Sequence, residues 1–210
     1  MEKKIIIFTG LSISKEEAKK ILDADYKDPV KRGDILKAIS KSPEIIGIID
    51  GVFHQHPAVS HKEIMEAIDQ GIIIVGGGSM GALRASELDS LGMKGIGYVY
   101  ENYANGNIES DDDVAVVFDP LTGESYSEAL INIDYNLELA IKANIINKEE
   151  KQELIQIAKS IYYPKRNYSK IFKESNLKKE KKEELKEFIL QQVDIKKQDA
   201  IAVLNYIKDL

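Results

Sequence analysis

The chain has 210 residues, 43% of them hydrophobic and 30% charged, which suits one α/β core with an appendage and excludes a large multidomain enzyme, a disordered tail and a membrane-embedded protein. It contains no cysteine, so disulfides, thiolate nucleophiles and Cys-ligated zinc or iron–sulfur centres are excluded, and covalent chemistry falls to Ser, Thr, Lys or a carboxylate. The net charge of −6 argues against nucleic acid as a partner and is unevenly spread: residues 1–150 carry 15 Lys and Arg against 26 Asp and Glu, and residues 151–210 carry 14 against 9.

The first predicted strand is Lys4–Phe8, followed by strands at Ile45–Ile49 and Ile72–Val75. All three are almost continuously apolar, the pattern of parallel strands covered by helices on both faces. They are far shorter than the roughly 18 residues of a membrane span. No signal-peptide apolar stretch follows Met1 to Lys4, and the expected location is the cytoplasm. Between the strands, Ser14-Lys-Glu-Glu17 and Ser60-His-Lys-Glu63 match the capping box, in which a serine hydroxyl and a glutamate carboxylate satisfy the free amides of a helix start. Helices are therefore predicted to begin near residues 15 and 61. Another is predicted from just after Ser79 to about Ser90, a further one within Gly33–Ser40, and a weaker strand at Val114–Phe118 after the acidic run Asp111 to Asp113.

The expected fold is a Rossmann-like, three-layer α/β/α domain with a mostly parallel sheet, followed by a C-terminal helical subdomain. All 14 glycines lie at or before Gly123. From about Ser125 onward the pattern is helical with Lys/Glu-rich faces, interrupted near Asn144–Asn147, Tyr163–Pro164 and Gln192–Asp194, which predicts three to five helices. The division is drawn as a core over 1–143 and a helical subdomain over 144–210. Leu177–Gln192 is predicted as an amphipathic surface helix, with its Lys/Glu bias a solvated face.

Two segments hold the candidate chemistry. Ile72 to Arg84 reads as strand, glycine-rich turn and helix start. From Gly76 it satisfies G-x-G-x-x-G, the dinucleotide fingerprint; from Gly77 it satisfies G-x-S-x-G, the nucleophile elbow that exposes a serine, here Ser79. The fingerprint normally follows the first strand and pairs with an acidic residue about 20 positions on; Glu101 has the spacing but not the setting. A third reading is that the glycines only permit a tight connection. Downstream, Arg84 either pairs with Glu87 three residues on or grips a carboxylate-like group of a substrate.

The second segment runs from Ile48 to Glu63. It places Asp50 at a strand end, where open α/β sheets bind ligands, and holds all three histidines between positions 54 and 61. With Ser60 as N-cap, His61 takes the first helical position, where the helix dipole favours a neutral imidazole able to act as a base. Asp50, His61 and Ser79 thus suggest an Asp–His–Ser order, which excludes an α/β-hydrolase because that fold has its histidine last. Each residue also has an ordinary reading: Asp50 as a turn acceptor, His61 as a helix-start residue, Ser79 as an N-cap. His54-Gln-His56 could share a cation with His61 or Asp50, although no metal and no cofactor is expected. Asp111 to Asp113 read as a solvated loop, or as a contact for a cation or a basic partner.

Asp50-Gly-Val-Phe53, Pro57-Ala-Val-Ser-His-Lys-Glu-Ile64, Gly78-Ser-Met-Gly-Ala-Leu-Arg-Ala-Ser-Glu-Leu88, Gly92-Met-Lys-Gly-Ile-Gly97 and Asp112-Asp-Val-Ala-Val116 resemble, in order and spacing, the TfuA-like proteins over about residues 5–140. The compact length most resembles the archaeal subgroup of glycine thioamidation in the α subunit of methyl-coenzyme M reductase, a methanogen enzyme. The resemblance implies partnership with a YcaO-type enzyme that converts a backbone amide of a peptide or protein substrate to a thioamide. It also implies a ThiS-like sulfur carrier whose thiocarboxylate is hydrolysed to release sulfide. In that reading the carrier's extended tail enters a crevice where the glycines leave room for another backbone. Ser79 attacks, His61 is the base and Asp50 orients it, with Glu63 or Glu87 as alternatives. Gly77, Gly78, Met80, Gly81, Arg84 and Lys62 bind the tail, Arg84 by neutralising its charge. In a variant, His61 activates water and Ser79 only anchors. The competing class is a non-catalytic adaptor that docks the YcaO enzyme or its substrate and holds an anion-binding pocket.

Overall fold

The computed structural model describes residues 3–52, 56–108, 110–117, 125–192 and 194–210. The chain forms two compact units, Met1–Glu109 with Ile195–Leu210, and Ser110–Asp194. In chain order the first holds β1 (Ile5–Phe8), α1 (Lys15–Lys19), β2 (Asp25–Lys27), α2 (Asp34–Ile39), β3 (Ile45–Ile48), α3 (His61–Asp69), β4 (Ile73–Gly77), α4 (Met80–Leu88), β5 (Lys94–Ile96) and α5 (Tyr98–Ala104). The second holds α6 (Leu130–Lys142), α7 (Lys148–Ser160), α8 (Tyr168–Glu174) and α9 (Lys179–Leu190), and the chain returns to the first in α10 (Ile195–Asp209).

The sheet is parallel throughout, in the order β2-β1-β3-β4-β5. Every residue of β1 and β3 is buried, because helices cover both faces. On one face Ile6, Phe8, Ile46 and Ile74 share a core with Ile35 of α2, Ile64 of α3 and Ala85 of α4. On the other, Ile7, Ile45 and Val75 share a core with Ala18 of α1 and with Ala200, Val203 and Leu204 of α10. This is the expected three-layer α/β/α arrangement. The strand order reverses between β1 and β3, the switch point at which open α/β sheets form their crevice.

The compact units depart from the expected division at 143/144. The last helix carries an apolar stripe that completes the second face of the sheet, so the chain after Asp194 packs with the first unit. Strands β2 and β5 are three residues each, too short to give an apolar run in sequence. Residues 114–117 form no strand, contrary to expectation; Phe118 lies outside the described residues.

In the second unit α6 to α9 enclose a core of Leu130, Ile133, Leu137, Leu154, Ile171, Phe172 and Leu185. Asn147 and Glu150 form a reciprocal capping box at the start of α7, with bonds of 2.8 and 2.9 Å. Lys151 joins α7 to α6 through Asp134 at 3.0 Å and Glu138 at 2.9 Å. The interruptions expected in sequence fall where helices end.

Candidate functional site

The β4–α4 turn is made by Gly78 at φ +75°, with the Ser79 amide donating to the Gly77 carbonyl at 2.9 Å. Such a turn needs a residue without a Cβ. α4 then leaves so close to the sheet that a Cβ on Gly81 would fall on the carbonyl oxygen of Ile48, and the Gly81 amide donates to the Ile49 carbonyl at 3.2 Å. A Cβ on Gly76 would meet the Gly81 carbonyl, one on Gly77 would meet Ile96 and Val203, and one on Gly78 would lie 3.3 Å from the Lys196 carbonyl in the first turn of α10. The space at these glycines is therefore filled by the chain itself and is not left open for an incoming backbone, which corrects that part of the sequence reading.

Ser79 is buried, 3% exposed, and its hydroxyl does not cap α4. Among the described residues this hydroxyl has no hydrogen-bond partner, and neither has the amide of Met80 beside it. An unpartnered hydroxyl next to an unpartnered amide at a helix start is part of the arrangement of a nucleophile elbow, but the elbow also presents its serine at the surface, whereas Ser79 is buried.

His61 opens α3, after Ser60, which forms the expected capping box with Glu63. Its Nε2 lies 2.8 Å from Glu87 Oε2, and the same oxygen accepts from Arg84 Nη1 at 2.6 Å. Arg84 also donates from Nε to the Val59 carbonyl at 3.1 Å, so it ties α4 to the chain entering α3. Of its two sequence readings, the pairing with Glu87 is the one formed. The His61 ring is half exposed, and its Nδ1 has no partner among the described residues. Lys62, next to it, is exposed.

Asp50 ends up elsewhere in the network. It is 5% exposed, and its carboxylate accepts the Gly10 amide at 2.8 Å, the Ser12 amide at 3.0 Å and the Ser12 hydroxyl at 2.7 Å. It pins the β1–α1 loop at the switch point and makes no bond to His61, the turn-acceptor role that its ordinary reading described. Glu63 is likewise engaged, with Ser60 and with the Gly33 amide. No hydrogen bond joins Ser79 to His61. Of the candidate orienting carboxylates only Glu87 meets the imidazole. Sequence reasoning missed Gly10 and Ser12, although a Gly-x-Ser directly after the first strand faces the same crevice as a strand-end Asp.

Glu101 lies within α5 and not at a strand end, so it does not complete a dinucleotide site. His54 of the His-x-His pair lies outside the described residues, and among the described residues no three His, Asp or Glu side chains are grouped to hold a metal. Also among the described residues, no helix is long and apolar enough to cross a membrane.

The family model described as TfuA-like protein matches residues 50–167, which is more than half of the chain. The match takes in Asp50, His61, Ser79, Arg84 and Glu87. No curated protein matches the chain.

Proposed function

This chain belongs to the TfuA-like family, accessory proteins of YcaO-dependent thioamidation, and from that premise we propose that it releases sulfide for a YcaO-type enzyme by hydrolysing the C-terminal thiocarboxylate of a ThiS-like sulfur carrier. The proposed setting is the cytoplasm, and the proposed final acceptor is a glycine in the α subunit of methyl-coenzyme M reductase, as in the archaeal subgroup that the chain resembles.

The single observation that carries this reading is the unpartnered Ser79 hydroxyl beside the unpartnered Met80 amide. In the proposed reaction Ser79 Oγ attacks the thiocarboxylate carbon and its proton passes to the free Nδ1 of His61. The C–S bond breaks, sulfide leaves with that proton, and water then cleaves the serine ester to a carboxylate. The net change is thiocarboxylate plus water to carboxylate plus hydrogen sulfide. The Met80 amide stabilises the oxyanion, the donor role found after the nucleophile in such elbows. Gly77, Gly78 and Gly81 act by shaping the turn, Arg84 acts by holding Glu87 against His61, and exposed Lys62 is available to the anionic tail. Glu87 takes the orienting role first expected of Asp50.

A second reading, a non-catalytic adaptor, is favoured by one observation: no hydrogen bond joins His61 to Ser79, so the pair assembles only if the incoming tail draws them together. The test is to incubate a thiocarboxylated carrier with wild type, Ser79→Ala and His61→Ala and to measure released sulfide. Wild type is expected to release sulfide, and each variant to lose about a hundredfold or more. Wild-type release no faster than background, with thioamidation from free sulfide still promoted, rejects hydrolysis in favour of the adaptor.

A further inference from the structure

The edge of the sheet farthest from Ser79 carries a cavity unconnected with the sulfide-release reading. β2 is only three residues long, and between it and α2 lies a cavity of about 510 Å³, the size of a small-molecule site. Its floor is apolar, formed by Ile6 and Phe8 of β1, Ala38 of α2 and Val52 after β3. Lys27, Lys31, Lys37 and Lys41 surround it, against two lining carboxylates among the described residues, Asp28 and Asp34.

The ion pairs of these groups leave positive charge over. Asp28 is taken by Lys15, outside the cavity, at 2.6 Å, and Asp34 by Lys37 at 3.1 Å. Lys27 and Lys41 share the single carboxylate of Asp25, at 2.6 and 3.3 Å. Lys31 has no carboxylate partner among the described residues. An apolar floor beneath excess ammonium groups disfavours a cation and gives a neutral apolar molecule no use for the rim. It suits a molecule that is apolar at one end and anionic at the other.

We propose that this cavity binds an amphipathic anion, a carboxylate, sulfonate or phosphate head carried on an apolar body. The body lies on Phe8 and Val52, and the head meets Lys31 and Lys37, the latter shifting from Asp34 to the ligand. Lys27 comes from β2, Lys31 from the β2–α2 loop, Lys37 from α2 and Lys41 from the turn just after it, so folding of this edge assembles the site.

The probe is 8-anilinonaphthalene-1-sulfonate, followed by fluorescence, with N-phenyl-1-naphthylamine as its uncharged counterpart. Saturable one-site binding of the sulfonate is expected, with affinity about tenfold lower in Lys31→Glu/Lys37→Glu. Lys20→Glu/Lys94→Glu, a reversal of two exposed lysines outside the cavity lining, makes the same change of net charge and should match wild type. The uncharged amine should bind at least about tenfold more weakly; decanoate should displace the sulfonate, and inorganic phosphate at equal concentration should not. Both substituted lysines are exposed, and unchanged circular dichroism confirms that the variant folds. Equal binding by the double variant and wild type overturns the site, equal binding of the uncharged amine overturns the role of the head, and displacement by phosphate alone overturns the role of the body.

Discussion

His61 Nε2 meets Glu87 Oε2 at 2.8 Å, and Arg84 holds that same oxygen at 2.6 Å. One carboxylate thereby links the start of α3 to the side of α4 and leaves only Nδ1 of the imidazole available for proton transfer. Glu87→Gln should keep the ring in place but weaken its partner, and Glu87→Ala should release it. Sulfide release is expected to fall roughly tenfold in Glu87→Ala and less in Glu87→Gln, a modest loss because a half-exposed pair is screened by water. The pH–rate profile should move in both variants, whereas a purely structural role would leave it fixed.

Asp50 predicts the opposite signature. Asp50→Ala leaves two amides and one hydroxyl of the β1–α1 loop without their shared acceptor, at a cost of about 2–4 kcal/mol for two buried donors and one part-buried donor facing a charged group. Urea denaturation should show that loss, while the variant molecules that remain folded keep the wild-type pH profile of sulfide release. A shifted profile at unchanged stability would return Asp50 to the histidine.

These two carboxylates show how far the sequence could be read. The apolar runs and serine caps made β1, β3, β4, α3 and α4 legible, because burial on both faces and helix capping are local requirements. Ser14 kept only one arm of its predicted box: its hydroxyl accepts from the Glu17 amide, and the Glu17 carboxylate turns to the Ser14 hydroxyl and Lys197. The partner of a strand-end Asp was not legible, since it depends on which loop lies across the switch point. Nor was the place of α10 in the first unit, because an apolar stripe does not state which surface it will cover.

Gly81→Ala tests whether the glycines of the elbow serve close packing. The new methyl would fall on the Ile48 carbonyl, backbone against backbone, and neither can yield without moving α4 off the sheet. A loss of about 3 kcal/mol or more is expected, read as a lowered midpoint of denaturation. A neutral result would mean that α4 stands farther from β3 than these contacts require.

Tyr26 predicts an alkaline limit to stability. Burial, with a lesser effect of Asp23, pushes its hydroxyl up to about 12, and the hydroxyl faces the carbonyls of Ala18 and Leu22 at 3.0 and 2.8 Å. Because the folded value lies above the unfolded one of about 10, this contribution is complete below pH 10 and is lost as pH rises toward 12. Subtracting the 295 nm titration of Tyr26→Phe from that of wild type should isolate one tyrosine ionising near pH 12. An ionisation near pH 10 in that difference would contradict the buried setting.

Removal of Ile195–Leu210 should unfold the first unit. Ile195, Val203, Leu204 and Ile207 are each no more than 3% exposed, and covering four such side chains contributes about 6 kcal/mol or more, comparable with the whole stability of a typical domain. Asp199 adds a specific tie, accepting the Tyr98 and Val99 amides at the start of α5 at 2.9 and 2.7 Å. The truncated chain is expected to lose cooperative unfolding and to be cleaved rapidly by protease, whereas Asp199→Asn should only lower the midpoint. Any deletion running to the C-terminus therefore strips one face of the sheet and would lose partner binding for that reason alone, so a partner contact on α8 or α9 has to be probed by charge reversal instead.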